Sequence, residues 1–151
     1  GLSLKGNTAL APGVYIVDGG TLKSNGNANI SGSGVTFFLA NSASVSFNGN
    51  SVLNFAAPTS GAYSGVLYFG ARSNSASANV LINGASGSAM TGAIYFPAQP
   101  VAYQGNMQGT NGCTQVVAKT VTWTGNATLS VNCTAVGMSN LRVGGGVRLS
   151  E

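Results

Sequence analysis

The residues that most often carry catalysis or bind metals are scarce in this sequence. It contains no histidine, so serine–histidine and cysteine–histidine catalysis lack their base, and a metal site lacks its commonest ligand. The carboxylates are Asp18 and Glu151, whereas glycoside hydrolysis needs two carboxyl groups held at a fixed separation across the sugar. A carboxylate on the last residue is a poor candidate for that role. We therefore expect a protein that is not an enzyme, with no catalytic residues, no metal ligands and no cofactor.

Two segments resemble functional motifs but lack the residues that the chemistry requires. GASGS (84–88) resembles the turn that carries a nucleophilic serine, but it lacks the final glycine and a histidine partner. GGTLK (19–23) has neither the spacing nor the Gly-Lys-Ser/Thr ending of a phosphate-binding loop. Neither segment predicts a site.

The surface that this composition predicts is nearly neutral. Charged residues make up 5% of the chain and the net charge is +4, whereas an ordinary soluble domain has about 25% charged residues. The basic residues are scattered along the chain: Lys5, Lys23, Arg72, Lys119, Arg142 and Arg148. Because nucleic-acid binding usually needs a clustered basic stripe, we expect no nucleic-acid partner.

The elements available to position a site are β-strands. Short runs rich in Val, Ile, Phe and Tyr alternate with turn residues, and Gly, Pro or β-branched residues interrupt every helical pattern. The predicted strands are 13–17, 35–39, 44–48, 51–55, 65–69, 79–83, 92–96, 114–118, 120–124 and 127–131. With 44% hydrophobic residues in 151, the chain is expected to fold as one all-β domain over residues 1–151.

Repetition indicates which all-β fold is present. Gly-Asn pairs begin at residues 6, 26, 49, 105 and 125, and the gap of 56 residues is expected to hold two or three coils. A period of about 20 residues fits one coil of a right-handed parallel β-helix, in which three short strands are joined by tight corners. The segments 56–63 and 97–106 are expected to be inserted loops. A β-sandwich is the alternative.

The asparagines of these pairs are expected to lie at coil corners. Glycine tolerates the positive φ that a corner requires, and asparagine is the next best residue there. Stacked asparagine amides would also hydrogen-bond from one coil to the next. The predicted corner and ladder residues are Asn27, Asn50, Asn106 and Asn126.

Two sets of side chains are candidates for an outward binding surface. Three strands contain adjacent aromatic pairs: Phe37 with Phe38, Tyr68 with Phe69, and Tyr95 with Phe96. Because neighbours in a strand point to opposite faces, one ring of each pair should fill the core, while the other faces outward or lies under an inserted loop. Thr120, Thr122 and Thr124 share one face of a strand, but β-propensity explains a single rank of this kind.

Cys113 and Cys133 have no zinc-ligand partners, and they suggest a disulfide formed in an oxidising compartment. Their separation equals that of Gly105 and Gly125, which places them at equivalent positions on neighbouring coils of a parallel solenoid. Stacked Cα atoms lie about 5 Å apart, within the range of about 4.4–6.8 Å that a disulfide spans. Two buried free thiols are the alternative.

Five longer segments carry a resemblance to a known family. They are LAPGVYIVDGG (10–20), GSGVTFFL (32–39), AAPTSGAYSGVLYF (56–69), GAIYFPAQPVAYQGN (92–106) and CTQVVAKTVTWTGNATLSVNC (113–133). Over these segments the chain resembles the C-terminal extracytoplasmic domain of TadG-like proteins of tight-adherence (Flp) pilus systems. A weaker resemblance, through PGVY (12–15) and the later strands led by glycine, is to bacterial ice-binding-type β-solenoids. Those proteins typically carry a long helix, which no segment here is suited to form.

The TadG resemblance implies a bacterial protein located outside the cytoplasm, in the periplasm or on the cell surface, with other envelope or pilus proteins as partners. It also implies contact with the membrane only through an N-terminal anchor that this sequence lacks. Together with the neutral surface and the scarcity of catalytic groups, it predicts a non-catalytic structural or adhesive module of the cell envelope. The alternative is a ligand-binding solenoid, with ice or carbohydrate as the surface ligand.

Overall fold

The computed structural model describes residues 1–47, 49–106 and 113–126, and every helix or strand element in these ranges is a β-strand. The strands are β1 (Leu2–Leu4), β2 (Asn7–Leu10), β3 (Gly13–Asp18), β4 (Thr21–Ser24), β5 (Asn29–Ser33), β6 (Val35–Ala40), β7 (Ser44–Ser46), β8 (Val52–Ala56), β9 (Val66–Gly70), β10 (Val80–Gly84), β11 (Ala89–Gly105) and β12 (Thr114–Gly125). The predicted all-β class is confirmed. The strand predicted at 127–131 lies outside the described residues.

The pairings arrange the strands in three parallel stacks, which form the faces of a solenoid of about 5 turns. Face A consists of β1, β4, β7, β10 and the C-terminal parts of β11 and β12. Face B consists of β2, β5, β8 and the start of β11. Face C consists of β3, β6, β9, the middle of β11 and the start of β12. The parallel solenoid is confirmed, and the β-sandwich, which is built from antiparallel strands, is excluded.

The register on face A gives the length of each coil. The five coils measure 20, 23, 35, 21 and 20 residues, from the pairs Leu2 with Leu22, Thr21 with Ser44, Val45 with Val80, Val80 with Val101, and Pro100 with Thr120. Gly105 pairs with Gly125, which confirms that this Gly-Asn spacing is one coil. The long gap before Gly105 holds two coils, and their shared corner is at Gly84, where Ala85 follows in place of asparagine.

The third coil is the longest because it carries two insertions. Residues 57–65 connect β8 to β9, where the inserted loop 56–63 is predicted. Residues 71–79 connect β9 to β10, and the sequence does not predict this second insertion. Both insertions lie at corners, so the strands on either side keep their parallel pairing with neighbouring coils.

The segment 97–106 is not a loop, and the prediction that it is one is wrong. Apart from its last residue, it belongs to β11, which runs from Ala89 to Gly105 and pairs in succession with β8, β9 and β10. Pro97 and Pro100 fall at the corner between faces C and A, where the register of β11 with β12 shifts. At such an irregularity the N–H that proline lacks is not needed for the ladder. The two prolines therefore mark a bend within a strand.

Side chains alternate along each strand, so one residue points into the solenoid and the next points out. The inward residues of face A form an aliphatic row that is buried from the second coil to the fifth: Leu22, Val45, Val80 and Val101. Behind face C the interior is filled by rings, and Phe37 stacks on Tyr68 with 5.2 Å between ring centroids. Because these inward rows form the core, the outward side chains can differ from one face to another without changing it.

Candidate functional site

The four asparagines predicted as corner residues all lie in turns or bends that follow strands of face A. Asn27 has the positive φ expected at a corner, 62°. At two other corners the glycine takes this conformation, with φ of 97° at Gly105 and 91° at Gly125. A Cβ added to Gly105 would lie 2.5 Å from the carbonyl oxygen of Gly84 on the neighbouring coil. These two corners therefore require glycine.

Two buried amides that join neighbouring coils lie at a different corner, between faces C and A. Asn74, in the 71–79 insertion, donates to the carbonyl of Leu39 at 3.0 Å and to Oε1 of Gln99 at 2.8 Å. Its Oδ1 accepts a hydrogen bond from the backbone N–H of Ser42 at 2.9 Å. Asn74 is buried, so three of the four hydrogen bonds that an asparagine can form hold the insertion in place.

Gln99 completes this amide network from the fourth coil. It is fully buried and donates to the carbonyls of Ala43, at 3.0 Å, and Ala78, at 2.9 Å. Gly70 permits its approach, because an added Cβ there would lie 3.0 Å from Oε1 of Gln99. The network thus connects the second, third and fourth coils. Sequence reasoning missed it because neither Asn74 nor Gln99 belongs to a Gly-Asn pair.

A column of buried hydroxyls connects the same three coils at the corner between faces A and B. The Oγ atoms of Ser24 and Ser51 lie 3.0 Å apart. Ser51 also donates to the carbonyl of Asn25 at 2.7 Å. The hydroxyl of Ser88 accepts a hydrogen bond from the backbone N–H of Leu53 at 3.0 Å. Serine hydroxyls therefore join neighbouring coils at this corner.

The adjacent aromatic pairs divide between the core and the surface, which confirms that prediction. The inner rings are fully buried: Phe37, Tyr68 and Phe96. The outer rings are half-buried on the outside of face C: Phe38, Phe69 and Tyr95. The outer row continues to Ile16 on the first coil, which is 70% exposed, and to Val117 on the last, which is 43% exposed.

The outer rings of face C stack on one another. The ring centroids of Phe38 and Phe69 are 5.2 Å apart, as are those of Phe69 and Tyr95. Tyr63, from the 57–65 insertion, packs edge-on against Phe38 at 6.4 Å. Because neighbouring rings occupy the ring faces, this row presents edges to solvent and offers no flat platform for a sugar ring.

A groove of about 960 Å³ crosses the outside of face A, a volume typical of ligand sites. Its lining comes from five successive coils and is dominated by small hydroxyl and aliphatic side chains. Representative residues, in coil order, are Thr21, Lys23, Ser46, Leu81, Ala102 and Thr122. Ser77 and Ala78 of the 71–79 insertion also line it. This face A groove is the candidate site.

The predicted threonine rank lies on face A and is confined to one of the described coils. Thr122 lines the groove. The residues paired with Thr120, Thr122 and Thr124 on the preceding coil are Pro100, Ala102 and Gln104. The described lining also includes Asn79, so the groove presents mixed hydroxyl, amide and aliphatic groups, not an extended array of threonines.

The charges near the groove are positive. Lys23 is exposed and lines the groove, and no carboxylate is among the lining residues that the structure describes. In the described residues the sole carboxylate is Asp18, on face C, which accepts a hydrogen bond from Asn41 Nδ2. Arg72 Nε donates to the hydroxyl of Tyr95 at 3.3 Å. Within the described ranges no group of His, Cys, Asp and Glu side chains is placed to hold a metal ion.

Cys113 is buried at the entry to β12, on the side of face C. Its carbonyl accepts a hydrogen bond from the backbone N–H of Gly92 at 2.6 Å. Cys133, the other half of the predicted disulfide, lies outside the described residues, so the pairing stays a prediction.

Two inward-facing tyrosines are perturbed by burial and lie away from the groove. The hydroxyl of Tyr68 has no hydrogen-bond partner within the part of the chain that the structure describes. Burial, with a smaller contribution from Tyr103, raises the pKa of Tyr68 well above its ordinary value. Burial also raises the pKa of Tyr103 to about 12. Tyr103 stacks on Trp123 at 4.7 Å between centroids. Tyr68 and Tyr103 are both buried, so both are core residues.

Comparison of the chain with protein-family models, curated proteins and solved structures finds no match. In the described ranges no helix is long and apolar enough to cross a membrane. The face A groove and the hydrogen-bonded corners are therefore the features from which a function is inferred.

Proposed function

We propose that this chain is a non-catalytic structural and adhesive module of the bacterial cell envelope, acting outside the cytoplasm in association with a pilus. The observation that carries the proposal is a solenoid whose buried polar corners are hydrogen-bonded across coils, while its outer faces carry hydroxyls and rings. Stacked repeats of this kind form extended surfaces for binding. The pilus association rests on the resemblance to TadG-like proteins.

Deletion of the coding sequence for residues 1–151 tests this function in the cell. We expect loss of surface attachment or of pili, measured by adhesion assays and electron microscopy. A strain whose protein carries Gln104→Met, a change on the outside of face A beyond the groove lining, serves as the control and should behave like the wild type. Normal piliation together with normal attachment in the deletion strain would contradict the proposal.

The proposed location is compatible with the predicted disulfide between Cys113 and Cys133. An oxidising compartment outside the cytoplasm allows such a bridge to persist. Closing a loop of about 20 residues contributes about 3 kcal/mol by the chain-entropy relation. Alkylation of the purified protein under denaturing, non-reducing conditions should label neither cysteine in mass spectra. Labelling of both would contradict the bridge.

Ligand binding is the second candidate function, and the face A groove is the observation that favours it. Because the threonine rank occupies a single coil, carbohydrate is a better candidate than ice. We expect no thermal hysteresis from the purified chain. A measurable hysteresis that Thr122→Val abolishes would favour ice instead.

A further inference from the structure

The irregular third coil shapes the face A groove. That coil has 35 residues between Val45 and its partner Val80, whereas its neighbours have 20 to 23. Part of the excess is the 71–79 insertion, whose Ser77 and Ala78 line the groove. In repeat proteins, insertions into single repeats often mark the binding face. The groove therefore lies beside the coil that is longer than its neighbours.

The groove floor combines hydroxyls with small apolar patches. Thr21, Ser46 and Thr122 contribute hydroxyl groups, while Leu81 and Ala102 contribute apolar surface. Successive coils are about 4.8 Å apart, so a floor that spans five coils is about 19 Å long. Sugars carry hydroxyls around the ring edge and C–H groups on the ring face. A floor of this length and composition suits an extended saccharide chain.

The charge of the groove selects among saccharides. Lys23 is exposed within it, and among the described residues that line the groove there is no carboxylate to neutralise the ammonium group. A ligand that carries its own carboxylates would supply the missing counter-charge, and hydrogen bonds between ionised groups are stronger than those between neutral ones. The chemistry of the groove therefore favours an acidic saccharide over a neutral one.

The groove wall is held in place before any ligand binds. Asn74 and Gln99 attach the 71–79 insertion to the second and fourth coils through buried hydrogen bonds. A wall that is already ordered costs little conformational entropy when a ligand arrives.

We infer that the face A groove binds an extended acidic polysaccharide, with Lys23 pairing to a sugar carboxylate. Hydroxyl and amide groups from neighbouring coils hydrogen-bond the ring substituents. The inference rests on the adhesive function proposed above and names the class of surface ligand. It assigns no chemistry to the site beyond binding.

Calorimetric titration of the purified 151-residue chain with oligogalacturonate tests the inference. A neutral cello-oligosaccharide of equal length and inorganic polyphosphate are the comparison ligands. We expect saturable binding of the uronate and binding of the other two that is weaker by about tenfold or more, which is about 1.4 kcal/mol. Equal binding of the neutral sugar would overturn the assignment of an acidic ligand. Equal binding of polyphosphate would show that charge alone is recognised, and would overturn it as well.

Single substitutions test whether the uronate binds in the face A groove. Lys23→Gln should weaken binding of the uronate by about fivefold or more, whereas Lys23→Arg should retain it, because the charge is preserved. Ala102→Trp, which fills the groove, should abolish it. Lys5→Gln removes an exposed cation outside the groove and should leave binding unchanged. Equal weakening by Lys5→Gln and Lys23→Gln would overturn the assignment of the groove.

Failure of the groove and failure of the adhesive function give different results. If the purified chain binds no uronate but its deletion abolishes attachment, the groove inference is wrong and the adhesive function stands. If the deletion strain forms normal pili and attaches normally, the adhesive function is wrong, whatever the purified chain binds.

Discussion

Faces A and C are stacks of parallel strands from the same coils, yet their outer surfaces behave differently. On face C the rings of Phe38, Phe69 and Tyr95 lie 5.2 Å from their neighbours and occupy one another's faces. On face A most of the outward side chains that line the groove are small, and they leave a volume of about 960 Å³ open. Large outward residues contact one another and leave no groove, whereas small outward residues leave room for a ligand.

The largest effect on the free energy of unfolding is expected at the amide network, which lies at the corner between faces C and A. Gln99→Met should lower the free energy of unfolding by about 3 kcal/mol or more, because each buried group left unpaired costs about 1–3 kcal/mol. The carbonyls of Ala43 and Ala78 and an amide N–H of Asn74 lose their partner. Urea unfolding measures the change, and hydrogen exchange should show earlier exposure of residues 71–79.

The matched control is Gln104→Met, on the same strand but on the outside of face A. It should change the free energy of unfolding by less than about 0.5 kcal/mol. Equal destabilisation by the two substitutions would show that the network contributes nothing beyond the loss of a polar side chain.

Truncation of one outward residue on each face tests the comparison directly. Phe69→Ala should destabilise by about 2 kcal/mol, because it removes the ring that two neighbours contact. Leu81→Ala, on the groove floor, should cost less than about 1 kcal/mol. Thermal and urea unfolding of both variants provide the measurement. A cost at Leu81 as large as that at Phe69 would contradict a structural role specific to face C.

A smaller effect, an increase in the free energy of unfolding, is expected from a substitution in the core between the faces. Tyr68→Phe removes a buried hydroxyl that has no hydrogen-bond partner in the described ranges. The variant should therefore be more stable by about 1 kcal/mol. A lower melting temperature for this variant would show that the hydroxyl does have a partner.

The smallest effect at neutral pH is expected for Tyr103→Phe, which should change stability by less than about 0.5 kcal/mol. The pKa of Tyr103 is about 12 in the folded protein and about 10 in an unfolded chain. The unfolded state therefore loses its proton first, and the free energy of unfolding falls as the pH rises from about 10 to about 12. The Tyr103→Phe substitution should reduce this loss of stability at alkaline pH. An unchanged alkaline slope would contradict the assignment to Tyr103.

Local sequence is sufficient to predict the strands whose inward and outward residues are both apolar. The runs at 13–17 and 35–39 match β3 and β6 because β-branched and aromatic residues fill both sides. Thr21–Ser24 was missed because its outward residues are polar and Leu22 alone supplies an apolar side chain. A strand of this kind is recognised only once neighbouring coils supply the row in which Leu22 packs.

The groove and the amide network could not be read from the sequence, because their residues come from different coils. Thr21 and Thr122 are 101 positions apart yet line one groove. The unequal coil lengths shift the register by amounts that depend on where each insertion falls. Gln99 lies in the segment where two prolines suggested a loop, and its contacts with Ala43 and Ala78 become visible only after that segment is recognised as part of β11.

The reach of Gln99 has a mechanical consequence. In a stack of repeats each coil contacts its neighbours alone, so a pulling force should detach one coil after another from a free end. Gln99, on the fourth coil, bonds past the third to the carbonyl of Ala43 at the end of the second. Tension that peels the solenoid from its C-terminal end must therefore load three coils together once it reaches the fourth. In the adhesive role proposed above, the stack would resist traction in two unequal stages, with its stiffest section at the wall of the groove.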